Sequence, residues 1–303
     1  MRTHTVIELV IDQKRKSLGG FEVGRVLPNM HRRMVGPFIF FDHMGPMALA
    51  KNEAHKFDVR PHPHIGLSTV TYLFEGEITH RDSVGSELPI RAGEVNWMTA
   101  GSGITHSERF DHAHEVGGSI HGIQAWVALP KSDEEIAPSF AHFDLAALRE
   151  IADGGVWSRI IAGEAYGERS DVRISSPLFY VHQELAAGTR SQLPKAPERA
   201  AYVVRGSIEV DGKTYNQGQM VIFAANTPAE LTAVTSSTLM LLGGEPVGER
   251  FIEWNFVSSS KERIAQAKAD WRAGRMKLPD VDHNEFIPLP DDPPALHTKG
   301  TTP

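Results

Sequence analysis

The 303-residue sequence predicts an all-β protein: two β-domains of barrel or sandwich type in tandem, with a short C-terminal helix and an extended tail. Three observations carry that expectation. Short runs rich in β-branched and aromatic residues follow one another closely, parted by Gly and Pro turn signals, and few stretches show a helical period. The strand–Gly–strand pattern of Thr71–Ile78 recurs in Ala201–Val210, where Gly206 lies 130 residues after Gly76. The turn-and-strand pattern of Ala92–Met98 recurs, in the same order, in Gln217–Phe223, where Gly218 lies 125 residues after Gly93.

Taken in order, Thr5–Ile11 is β-branched, Gly19-Gly20 marks a turn, and Phe21–Pro28 alternates as a strand does. Gly36–Phe41 reads as a buried strand that runs into a polar corner at Asp42-His43, where both side chains are expected to make loop hydrogen bonds, the alternative being that they hold site residues in place. Ser68–Ile78, Ala92–Met98 and Ile120–Leu129 supply further strands. Lys131–Gly155 reads as a linker, with Asp144 capping a short helix over Leu145–Ala152 that ends at Gly154-Gly155. The expected units are residues 1–135, a connector at 136–160, and residues 161–303. Ser259-Ser260-Lys261-Glu262 has the form of a capping box opening a helix over about 259–273, with Ile264, Ala267 and Trp271 on one face and Gly274 at its end. A proline-rich tail follows from Pro279 and is expected to run extended over the surface.

Composition narrows the function classes. A net charge of −7 and a pI near 6.1 argue against a surface built for nucleic acid. There is no Cys, hence no disulfide, no thiolate metal site and no Cys nucleophile. The apolar runs are strand-sized and the first residues lack the apolar core of a signal peptide, so a soluble cytoplasmic protein without membrane contact is expected.

Two stretches about forty residues apart carry the chemistry. Pro61-His62-Pro63-His64-Ile65-Gly66 and Gly101-Ser102-Gly103-Ile104-Thr105-His106-Ser107-Glu108 each offer two ligand side chains at spacing i, i+2. In a strand such residues share a face, so two strands brought together would gather three imidazoles and one carboxylate. That donor set suits a divalent transition ion and is a poor match for a structural zinc site. A second H-x-H, His112-Ala113-His114, sits in a polar run without flanking alternation and is the weaker candidate. The Gly-rich turn before His106 lacks the Lys of a phosphate loop, and no G-x-S-x-G elbow marks a nucleophilic Ser. The second half has neither pair, and its His182 reads as structural.

On these residues the chain resembles the pirin family. The resemblance rests on Pro61–Gly66, Val70–Gly76 and above all Trp97–Glu108, with further support from Phe41-Asp42-His43, Gln124–Val127 and Gly243-Gly244-Glu245-Pro246. It implies a bicupin, two cupin-type barrels in tandem. The N-terminal barrel would hold one iron on His62, His64, His106 and Glu108, and the C-terminal barrel would be metal-free. Where many pirins carry a Glu, this chain has Ser68. Iron(II) is the expected ion, with Mn, Cu, Ni and Zn as alternatives that the donor set also accepts. The implied activity is that of a quercetin 2,3-dioxygenase, which opens a flavonol ring with O₂, so a small aromatic substrate is expected beside the metal. Glu108 would serve as ligand and as the catalytic base for the substrate hydroxyl, and Phe40, Trp97 or Trp126 are candidates to sandwich the ring, with core packing the more ordinary role of each. Two alternatives stand beside it: an iron redox-sensing co-regulator with a protein partner, and a metal-dependent cupin acting on a different substrate.

Overall fold

The protein was analysed as a computed structural model in which residues 5–18 and 20–290 are described; the end of the proline-rich tail and Gly19 of the first turn lie outside them. The all-β expectation holds. Each half pairs a large antiparallel sheet with a four-stranded one. In the first half, Ile78 and Ile90 of the small sheet bury against Met44, Leu73 and Ile120 of the large one. In the second, Ile208, Val210 and Leu231 bury in the same way against Ile160, Val181 and Leu241. The result is two cupin-type barrels.

The two large sheets pack on each other through their outer faces. Val70, Tyr72, Trp97, Ile123 and Ala125 of the first join Ile161, Tyr180, Tyr202, Met220 and Leu242 of the second in one core cluster. A strand such as Leu67–Glu75 is therefore buried on both faces, with Thr69, Thr71 and Leu73 on one and Val70 and Tyr72 on the other. This is why Val70–Phe74 reads as a nearly unbroken apolar run.

The chain crosses between the barrels more than the expected units allow. Strand Ile7–Asp12 pairs with Gln219–Phe223 in the second barrel, and the next strand, Lys14–Ser17, pairs with Glu22–Leu27 in the first. Strand Ser139–Phe143 belongs to the first barrel, paired with Val95–Thr99. The last described segment returns to the first barrel. There the helix Lys261–Arg272 sets Ile264, Ala267 and Trp271 against Ile65 and Phe256.

Three local readings are corrected. The helix cap is Ser260, whose Oγ accepts from Arg263 N at 3.2 Å, while Ser259 is taken up by Glu134 through its N and Oγ. Asp144 does cap a turn, accepting from Ala147 N at 3.0 Å, but the turn stops at Ala147. Residues Arg149–Asp153 are a strand paired with Val156–Ala165, and Gly154-Gly155 is its two-residue hairpin, with φ of 55° and 87°. The Asp-Gly-Gly turn outweighed the helix-favouring composition of Leu145–Ala152. Asp42 and His43 are not in a loop corner. They lie inside the twelve-residue strand Phe38–Leu49, which is paired on both sides. Among the described residues, no helix is long and apolar enough to cross a membrane.

Candidate metal centre

The strands Val59–His64 and Ile104–Arg109 are antiparallel neighbours in the small sheet of the first barrel. Val59–His64 is at the sheet edge, where Pro61 and Pro63 remove no ladder hydrogen bond that an inner strand would need. His62 lies directly opposite His106. The i, i+2 spacing then turns His64 to the same side, and the ligand atoms of His62, His64 and His106 all come within 4.8 Å of one another. All three rings are buried. Two glycines flanking these strands pack closely on neighbouring backbone. At Gly66, φ is 67° and an added Cβ would lie 2.0 Å from Val257 O; at Gly101, φ is 51° and a Cβ would lie 2.0 Å from Ile136 O.

Backbone carbonyls select the tautomers. His62 Nδ1 donates to Arg60 O at 2.9 Å and His64 Nδ1 to Asn255 O at 3.0 Å. Each Nε2 is thereby left as a bare lone pair. His106 has no hydrogen-bond partner on either nitrogen although it is buried. Such an orphaned group is costly without a ligand. Burial is the main force keeping the imidazoles neutral. It holds His62 down to about 4, and with the neighbouring rings it holds His64 and His106 well below the ordinary histidine value. Three neutral imidazoles, each with a nitrogen lone pair free and all converging, fit a divalent transition ion.

Glu108 stands apart from that cluster. A register shift between His106 and Glu108 sets it opposite Val59 instead of Arg60. Its carboxylate faces the same cavity, at the edge of hydrogen-bond reach from Thr71 Oγ1 at 3.5 Å; Thr71 is closer to Gln124 Oε1, at 2.9 Å. Burial pushes the Glu108 carboxyl up to about 7.

The cavity of ≈ 450 Å³ runs outward from the histidines between apolar walls that include Phe21, Val23, Ile78, Phe110 and Ile287. Phe40 and Trp126 line it but stack on each other, centroids 4.0 Å apart, and Trp126 meets His64 edge to face. The two rings form a wall and do not sandwich a ligand between them. Trp97 is on the opposite face of its strand, in the core between the barrels, so it takes no part. The weaker pair is also placed elsewhere: His112 and His114 are on the short helix Asp111–Val116, and His114 Nε2 bonds Asp58 at 3.0 Å.

Four groups at the site carried no sequence signal of their role. Arg25 holds Asp42 through two bonds of 2.8 and 2.7 Å in the cavity wall. Gln124 faces Thr71. Asn255 acts through its carbonyl, 191 residues from His64. The segment after the helix straps the ligand strand from outside: Arg109 bonds Asp282 at 2.8 Å twice and Glu285 at 3.0 Å, and Ser107 Oγ donates to Asp282 at 2.6 Å.

Tandem cupin barrels, with a histidine triad in the first and no such cluster in the described part of the second, define a bicupin with one candidate metal centre. The family comparison agrees. Residues 20–127 match the pirin family and residues 180–277 match the pirin C-terminal cupin domain, and the chain belongs to the pirin family. It is 63% identical over 288 residues to a pirin-like protein of Caulobacter vibrioides, covering 94% of this chain and all of that one. Among solved structures it resembles a quercetin 2,3-dioxygenase from Acinetobacter baumannii, with 29% identity, a TM-score of 0.86, and coverage of 94% of this chain and 96% of the other. A second protein described in the same words from that organism matches with 26% identity and a TM-score of 0.82, over 90% of this chain and 98% of that one.

Proposed function

We propose that this protein is a metal-dependent dioxygenase that opens the heterocyclic ring of a flavonol-like compound with O₂, using His62, His64, His106 and Glu108 as metal ligands. The observation that carries this reading is the set of three neutral, buried imidazoles whose lone pairs converge at the inner end of an apolar-walled cavity. The description given to the two Acinetobacter structures supports the choice of reaction. The ion is expected to be iron(II); when bound, it would acidify a coordinated hydroxyl and hold the substrate beside O₂. The chain's own residues do the rest. The Phe40–Trp126 wall and the aliphatic lining receive a flat aromatic body and exclude water. Arg25, Asp42 and Gln124 offer polar partners to its peripheral hydroxyls. The Glu108 carboxylate, which faces the same cavity as the histidines, would take the proton of the reacting hydroxyl.

The test is oxygen uptake by iron-loaded protein given quercetin, with metal content measured alongside and with His62→Ala and His106→Ala as controls. Uptake that depends on metal and disappears in both controls is the expected result. Iron bound at one per chain without any uptake would overturn the flavonol reading.

A further inference from the structure

A second cavity, of ≈ 330 Å³, opens between the two barrels. Tyr72, Phe74 and His121 line it from the first barrel, and Arg159, His182 and Arg205 from the second. Most of its polar groups are mutually satisfied. Arg159 donates to Tyr72 Oη at 3.1 Å and is paired with Glu150. Tyr72 donates in turn to His182 Nδ1 at 2.8 Å, and His182 Nε2 donates to Glu184 at 2.9 Å. Thr238 Oγ1 satisfies the other oxygen of Glu184 at 2.9 Å.

Two groups are left over. Arg205 is exposed at the cavity, and its guanidinium has no hydrogen bond or ion pair among the described residues. His121 is only 2% exposed, and its Nδ1 is buried without a partner. Its protonation follows from its neighbours. Tyr202 donates to Gln13 Oε1 at 2.8 Å, so its oxygen accepts from His43 Nδ1, also at 2.8 Å. His43 Nε2 is then the acceptor in its 2.8 Å contact with His121 Nε2, which carries the hydrogen. His121 Nδ1 is left as a bare acceptor. Burial, reinforced by Arg205, holds His121 down to about 4 and keeps it neutral near pH 7. The Phe74 ring, 4.9 Å from His121 and 5.0 Å from His182, forms one side of the space.

We propose that this inter-barrel cavity is a second binding site, for a small carboxylate that also bears a hydroxyl: Arg205 pairs with the carboxylate, His121 Nδ1 accepts from the hydroxyl, and Phe74 covers the body of the ligand. A single free guanidinium matches one carboxylate in charge and fork geometry. A doubly charged phosphate would add its second charge beside Glu184. The site is independent of the metal centre and of the reaction proposed for it.

The experiment is calorimetric titration of the full-length protein with 4-hydroxybenzoate as probe and benzoate as the analogue lacking the donor. Saturable binding of 4-hydroxybenzoate is expected, at least tenfold tighter than benzoate, weakened at least tenfold by Arg205→Met and unchanged by His62→Ala. Arg205 is a surface residue, so that variant is expected to fold; His121→Phe should give the same loss provided its melting temperature matches wild type. No saturable binding, equal affinity for the two probes, full affinity in Arg205→Met, or loss of binding in His62→Ala would each overturn the proposal.

Discussion

His106 has two buried ring nitrogens and no partner for either among the described residues, and its strand sets it directly opposite His62. Glu108 lies outside the histidine cluster. Glu108→Gln keeps the shape and an oxygen donor but removes the carboxylate base. On the proposed mechanism it should lower kcat by about 10²–10⁴-fold while metal content measured by elemental analysis stays near wild type. Activity within a factor of a few of wild type would exclude Glu108 as the base. The histidines were legible in the sequence because period-two spacing puts His62 with His64 on one face of a strand. What orients them was not. The acceptors are the main-chain oxygens of Arg60 and Asn255, and a carbonyl has no sequence signature. Asp42 was visible as a polar residue after an apolar run, but its partner Arg25 lies on a neighbouring strand that only the fold brings alongside.

The hairpin at Gly154-Gly155 shows how elements compete. Leu145–Ala152 holds good helix formers, yet pairing with Val156–Ala165 and a turn that needs positive φ at two successive residues decided the outcome. Open space surrounds the Cβ position of Gly154, so Gly154→Ala should cost only the conformational term, roughly 1–2 kcal/mol. At Gly163 the φ is also positive, but a Cβ would lie 1.8 Å from Leu178 O. Gly163→Ala must move backbone and should cost several times as much; urea denaturation of the pair checks the ratio. The strap over the ligand strand makes a pH prediction. Asp282 is partly buried, which alone would raise its pKa, but the hydrogen bonds and charge of Arg109 and the Ser107 hydroxyl hold it below the ordinary carboxylate value of 3.8. Its contribution is fully present above that value and is lost as pH falls through the depressed one. Hydrogen-exchange protection factors in residues 276–290 should therefore fall on acidification below about pH 4 and should already be low at neutral pH in Asp282→Asn. Equal protection at pH 3 and pH 7 would remove Asp282 as the lock.

At the scale of the molecule, the duplicated pattern was readable because each echo was local: a strand, a Gly turn and a strand. The exchange of segments between barrels was not, since Ile7–Asp12 has no feature that distinguishes a partner at Gln219–Phe223 from one nearby. That exchange, with the shared core between the large sheets, ties the two barrels together. Thermal unfolding is expected as one cooperative transition with matching calorimetric and van't Hoff enthalpies. Removing residues 5–13 should destabilise the second barrel although they precede the first in sequence. Two resolved transitions, or an unperturbed second barrel in the truncated chain, would contradict this coupling.

The carbonyl of Asn255 also sets a timetable. Ribosomes make every strand of the first barrel's two sheets, His62, His64 and His106 included, before residue 255 exists. Until it arrives, the His64 ring lacks the acceptor that fixes its tautomer. The centre is thus completed late in synthesis, after most of the second barrel has emerged, and a chain cut short before that point would retain the three imidazoles without the full arrangement. Nascent chains stalled before residue 255 are expected to bind metal more weakly than chains stalled beyond the helix Lys261–Arg272. Equal affinity in both would mean that the first barrel builds the centre unaided.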